Sequence, residues 1–429
     1  MRVEPIGLAR MSTFHPPLRV DAMSPFKVPG PNETSRLQVY ALRLAEALAL
    51  VAFLSFCVLW VQWQNSASGV SRLGGDFVSF WTAGQLALAG HAAEAYQKLP
   101  HFLLQLDLHH DPGWGYLAFF YPPFFLLLCA AFALMGYFAA LCLWLVTSCA
   151  GYVAAVRGLL PKDSGEGSRL WVLFLGYPAV MINAGFGQNG FLSTALLGGA
   201  AVWLDRRPEL AGLCLGCLAY KPQLGIIVPL ALAVAGRWRC FAVAAATVMA
   251  LAAAATLAFG MDIWPAFMGS LADMRRDWME PPNPLYLQYW ITVYGAIRLH
   301  GGPLALAYAA QALVTVTAAL MLLRALRQRP PGARSGRAEG AAIAACVPFC
   351  SPFMLEYDLA ILAVPMAWLL GEALRDGFRR GELVALLGAY FAPVLFKLTL
   401  FDGALKLSVI AAAALLFAVV LRRMTEKPA

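Results

Sequence analysis

Charge is what this sequence has least of. Only 13% of its 429 residues are Asp, Glu, Lys or Arg, while 60% are hydrophobic; a water-facing surface of that size needs roughly twice the charge. An ordinary soluble protein is excluded, and the bilayer becomes the solvent. Period-2 alternation is also missing, which excludes a membrane barrel and leaves helices, the other fold that satisfies its backbone in lipid. There is no disulfide framework: all nine cysteines fall in or beside apolar runs. Cys214 and Cys217 form a CxxC inside LAGLCLGCLAY, without the further ligands that a redox or zinc site needs, and read as small packing residues. No Walker or dinucleotide glycine pattern follows a strand, so neither a nucleotide site nor another cofactor is expected. A cleavable signal is not evident either.

Long apolar runs are abundant. They lie at about 42–62, 116–135, 137–158, 170–186, 190–204, 210–236, 240–260, 303–323, 340–354, 357–374, 382–400 and 403–421. The expectation is an all-α, polytopic protein of about 12 membrane helices. Residues 1–40, rich in proline, read as a weakly ordered cytoplasmic tail, 41–421 as one transmembrane domain and 422–429 as a second cytoplasmic tail. The helix starting near Leu42 would act as an uncleaved signal anchor.

Lys and Arg collect in the N-terminal tail, in RALRQRPPGARSGR (324–337), in RDGFRR (375–380) and at the C-terminus, which places these segments in the cytoplasm. The loops 63–115 and 261–302, richer in acidic and aromatic residues, then face outward and carry interfacial helices. Twelve simple crossings put DRRPE (205–209) outside, against the same rule. Either that loop is an exception, or the runs around GFGQNG and AYKPQ are half-depth hairpins lining a cavity. No internal repeat relates the two halves. The charge of +8 needs no nucleic-acid partner, because basic tails beside anionic membrane lipids account for it.

The first outward loop supplies Asp76, directly after Gly74 and Gly75 and before an amphipathic stretch containing Trp81. A carboxylate at headgroup depth is one reading; a helix cap is the other. Tyr121, with Pro122 and Pro123, marks the outer mouth of the second helix. Gln188 and Asn189 in GFGQNG, Lys221 in AYKPQ, and Glu356 with Asp358 in SPFMLEYD are polar where lipid makes them expensive, about 2.5–3.5 kcal/mol for an ionised group on insertion scales. Snorkelling is the alternative for Lys221. In the second loop, Tyr289, Trp290, Arg275, Arg276 and Arg298 suit either sugar and phosphate contacts or a membrane-surface belt. His109, His110 and Asp111 stand together, but adjacent histidines diverge and no further ligand has suitable spacing, so no metal is expected.

Taken in order, DFVSFWTAG (76–84), YPP (121–123), GQNG (187–190), AYKPQ and SPFMLEYD resemble the motifs of glycosyltransferase family 87. These enzymes use polyprenyl-phosphate sugars and include bacterial phosphatidylinositol-mannoside mannosyltransferases. The resemblance spans about residues 70–375. It departs from the family where Asn189 directly follows Gln188, and where Glu356, Tyr357 and Asp358 replace the Trp and His often found after Ser-Pro.

The resemblance implies a glycosyltransferase-C fold in a bacterial inner membrane. The donor would be a polyprenyl-phosphate-linked sugar, the acceptor a lipid or glycan, and Asp76 the general base. Lys221, Arg275, Arg276 and Arg298 would then bind the donor phosphate, with Trp81, Tyr121, Gln188, Asn189, Tyr289, Trp290, Glu356 and Asp358 around the substrates. Two other readings stand beside it. One is a secondary transporter or lipid flippase using Lys221, Glu356 and Asp358 as coupling charges; the other is a non-catalytic scaffold subunit.

Overall fold

The computed structural model describes residues 43, 47, 50, 74–109, 115–161, 169–281, 284–329, 335–398 and 403–426. The chain divides into Met1–Leu44 and Ala45–Ala429, and every residue from 74 onward belongs to the second unit. The tail assigned to 1–40 lies outside the described residues, as do His110, Asp111 and most of the helix assigned to 42–62.

Helices account for the regular structure of the described residues, with one isolated β-bridge between Trp290 and Leu355. The all-α expectation is met. In chain order come α1 (Phe77–Leu88), α2 (Lys98–His109), α3 (Pro123–Ala133), α4 (Tyr137–Leu159), α5 (Trp171–Leu175), α6 (Pro178–Phe186) and α7 (Gly190–Trp203). Then follow α8 (Pro208–Cys217), α9 (Pro222–Gly225), α10 (Val228–Ala235), α11 (Trp238–Phe259), α12 (Ile263–Asp273) and α13 (Val293–Leu299). The last are α14 (Leu304–Arg327), α15 (Gly336–Cys346), α16 (Ala363–Asp376, preceded by a 3₁₀ segment Glu356–Leu362), α17 (Glu382–Leu398) and α18 (Gly403–Thr425).

Among the described residues, five helical segments are long and apolar enough to cross a membrane: α4, α11, α14, Glu356–Asp376 and Lys406–Thr425. Several other apolar runs are broken where proline denies the backbone its N–H and starts a new helix. The 116–135 run has no regular structure up to Pro122 and is helical only as α3, whose 11 residues reach roughly 16 Å, about half the hydrocarbon thickness. It pairs with α1 instead: Trp81 Nε1 donates to the Met135 carbonyl and Gln85 to that of Ala133, and a Cβ on Gly84 would stand 2.3 Å from the Cys129 carbonyl oxygen. Pro178 restarts the 170–186 run as α6, and Pro222 divides the 210–236 run.

Ion pairs define one end of the molecule. Asp205 accepts from Arg237 at 2.6 Å and from the Gly336 N–H at 2.6 Å, while buried Glu339 accepts from Arg237 and Arg329. Arg423 joins Glu382 and Asp376, and Arg379 joins Glu426. Residues 205–209, 329, 335–339, 372–382 and 422–426 therefore gather at this arginine-rich end, where Arg337 interacts with the charges of Asp205, Arg206, Glu372 and Arg375. Because residues 205 and 237 meet here, α8–α10 leave this end and return to it, turning at Lys221. Run 210–236 is a hairpin rather than a single crossing.

Candidate active site

The turn of that hairpin meets a second break, between α6 and α7, and the site is built where they touch. Gly187 ends α6 at φ +63°, a left-handed conformation that glycine adopts without a Cβ penalty. Space imposes the same choice, since a Cβ there would lie 2.5 Å from the Gly74 carbonyl oxygen. Trp144 Nε1 holds the Gly187 carbonyl at 3.0 Å. The turn at Gly74 (φ +81°) and Gly75 is thus pressed against the end of α6.

This packing fixes Asp76. Its backbone N–H donates to the Phe186 carbonyl at 2.9 Å, and its Oδ2 accepts from Gln188 Nε2 at 2.7 Å. Asp76 occupies the N-cap position of α1, yet its side chain makes no capping bond. The carboxylate is turned from its own helix toward GFGQNG. Burial raises its pKa to about 6, against the lowering effects of the Gln188 hydrogen bond and the Lys221 charge.

Behind Gln188, Asn189 Nδ2 donates to Tyr121 Oη at 2.8 Å. Tyr220, one residue before the hairpin turn, donates to the Asn189 carbonyl at 3.1 Å and shares a 2.6 Å hydrogen bond with Ser193. Asn183 Oδ1 accepts from the Gly190 N–H at 2.6 Å. The rings of Phe80, Tyr121, Phe125 and Tyr220 pack together on this side.

Lys221 does not snorkel. It is 2% exposed, donates to Asp358 Oδ1 at 2.6 Å and lies 4.9 Å from the centre of the Tyr357 ring. Glu356, 1% exposed, accepts from Lys397 Nζ at 2.5 Å, and Lys397 covers the Phe186 ring, whose backbone carbonyl holds Asp76. Lys406 closes this side by donating to the carbonyls of Leu287 and Gln288. The second loop is anchored here too, by the bridge from Trp290 to Leu355 and by Ile291 N–H to the Met354 carbonyl.

Thus Asp76, Tyr121, Gln188, Asn189, Lys221, Glu356 and Asp358, scattered over most of the sequence, converge. Trp290 is buried beneath them as an anchor, Tyr289 is partly exposed beside it, and Trp81 packs edge-on against Tyr137 at the Gly74 side. The three arginines are engaged within their own loop. Arg275 pairs with Glu280, Arg276 with Asp273 and Asp277, and Arg298 donates to the Gly302 carbonyl. Sequence reasoning passed over Lys397, Lys406, Tyr220 and Trp144. The two lysines carried a signal, being the basic residues inside the last two outer-end apolar stretches.

Four buried polar atoms here have no protein partner among the described residues: Asn183 Nδ2, Asn189 Oδ1, Gln288 Oε1 and Glu356 Oε2. A carboxylate of raised pKa, hydroxyl and amide donors, and two ion pairs surround one another. Such a site can take a proton from a hydroxyl and steady charge close by.

No curated protein and no solved structure matches the chain. The family model for glycosyltransferase family 87 matches residues 119–352, which include Tyr121, Gln188, Asn189 and Lys221. The chain belongs to glycosyltransferase family 87, and it is a glycosyltransferase with sugar-donor and acceptor substrates rather than a transporter or scaffold.

Proposed function

We propose that the protein is an inverting glycosyltransferase that moves a sugar from a polyprenyl-phosphate donor to a lipid or glycan acceptor, with Asp76 as general base. The observation that carries this reading is the carboxylate of Asp76: it caps no helix, accepts from Gln188, sits on a backbone whose N–H is tied to the Phe186 carbonyl, and has its pKa raised to about 6 by burial. A base of that pKa is mostly ionised at neutral pH and still basic enough to take a proton in the transition state. The acceptor oxygen attacks the anomeric carbon as its proton passes to Asp76. The bond from that carbon to the phosphate oxygen breaks, and its electron pair leaves on polyprenyl phosphate, which needs no acid assistance.

The location of the reaction follows the distribution of charge. The end rich in arginines suits the cytoplasm and the opposite end, with Asp76, the outer face. The inner membrane of a bacterium is the setting that family and donor imply. Lys221, already paired with Asp358, acts on Asp76 through its charge. The expected outcome is release of polyprenyl phosphate together with a glycoside of inverted anomeric configuration, read by NMR with purified protein. Retained configuration, or transfer only from a nucleotide sugar, would overturn the proposal.

A further inference from the structure

Building on the lipid-phosphate donor just proposed, we infer that Lys397 is the residue that receives the donor phosphate, with Glu356 as its positioning residue. The reaction converts a phosphodiester bearing one negative charge into a monoester that carries up to two, so a cation must lie where that charge grows. It must also be open to a ligand arriving from the bilayer, and retain free donors.

The lysines of the site and the arginines of the second loop differ in these respects. The Lys221 side chain is 3% exposed and neutralised by Asp358. Lys406 is buried and donates to two backbone carbonyls. Arg275 and Arg276 are exposed and paired with Glu280, Asp273 and Asp277, and Arg298 donates to the Gly302 carbonyl with its Nε unpartnered among the described residues; none of the three hydrogen-bonds Asp76, Gln188 or Glu356 among the described residues. Lys397 combines the required features. Its side chain is 38% exposed, its ammonium donates to Glu356 Oε1 alone among the described residues, and it lies 5.3 Å from the centre of the Phe186 ring. An ammonium has three N–H donors, which leaves two for phosphate oxygens.

A second, independent feature points to a ligand at the same place. Glu356 is 1% exposed and its Oε2 has no partner among the described residues, an arrangement a buried carboxylate sustains only at a cost. A sugar hydroxyl beside the phosphate would complete it. Glu356 thus holds Lys397 over the Phe186 ring, whose backbone carbonyl accepts from the Asp76 N–H, while keeping one oxygen for the sugar.

The test is binding without turnover, using the full chain in detergent and three probes: undecaprenyl phosphate, undecaprenol and phosphatidylglycerol. The wild type is expected to favour undecaprenyl phosphate over both others. Lys397→Met should weaken that preference by about tenfold or more, and Lys397→Arg should keep most of it. Lys397→Met with Glu356→Gln removes both charges without leaving a buried carboxylate alone, and should lose the preference equally while eluting as a monodisperse protein. An unchanged preference in Lys397→Met would overturn the assignment while leaving the lipid-phosphate donor intact. Equal weakening toward phosphatidylglycerol would also overturn it, making Lys397 a general headgroup contact. No phosphate preference in the wild type would overturn the donor itself.

Discussion

The two ends of the molecule both contain buried carboxylates and cations, and they use them differently. At the arginine-rich end, Glu339 is shared by Arg237 and Arg329, and Glu382 accepts from Arg423 through both oxygens. These carboxylates are satisfied by their cations, and Arg422 Nε, without a hydrogen-bond partner among the described residues, still lies 3.8 Å from Glu426. At the opposite end Asp76 forgoes its helix cap, and Asn183, Asn189 and Glu356 each retain a buried polar atom without a partner among the described residues. Saturated pairs hold structure together, whereas unsatisfied ones in a shaped site are kept for a ligand.

The largest effect that could break this comparison comes from Lys221. Lys221→Met leaves Asp358 as an unpaired buried charge and should cost about 3–5 kcal/mol of stability. Adding Asp358→Leu should restore much of the stability but not the activity. At the other end, Arg329→Met should lower stability less, because Arg237 still serves Glu339, and should leave turnover per folded molecule unchanged. Thermal unfolding and specific activity, measured side by side, check both. If Arg329→Met reduced turnover as Lys221→Met does, the division between the ends would fail.

Gly187→Ala comes next. It places a Cβ against the Gly74 carbonyl at φ +63° and should cost about 1–3 kcal/mol. Turnover should fall further than stability, since the displaced turn carries Asp76. Equal losses in both would show that Gly187 serves only the fold.

The smallest effect sharpens the electrostatics. The carboxyl of Asp76 titrates near 6 rather than 3.8, so kcat/KM should rise with pH through about 6 and level off above it. The stability contribution has the opposite sign. The raised value favours the folded state at low pH, and that contribution is lost as pH climbs through about 6. Gln188 lowers the value, so Gln188→Leu should move the activity limb upward. A limb that stays in place would remove Asp76 as the group being titrated.

Much of the site was legible because lipid makes polar residues conspicuous. Gln188, Asn189, Lys221, Glu356 and Asp358 stand out in apolar runs, and the two glycines before Asp76 announce its turn. Their pairing was not legible, since Lys221 and Asp358 are 137 residues apart. Lys397 and Lys406 were overlooked because they flank a short gap between runs, where basic residues look like ordinary helix ends. The apolar run containing α3 looked like a crossing because hydropathy does not distinguish burial against lipid from burial against α1. The hairpin turning at Lys221 was masked in the same way, and its direction emerges only from the contact between Asp205 and Arg237.

The central claim is that Asp76 removes the acceptor's proton. Its most direct test is the single-turnover rate of Asp76→Asn with saturating polyprenyl-phosphate sugar and acceptor at neutral pH. Asparagine preserves the shape of the side chain and its contact with Gln188 but cannot take a proton, so the rate should fall by about 10²–10⁴ while the protein remains folded and binds donor. A rate within a few fold of wild type would contradict the account.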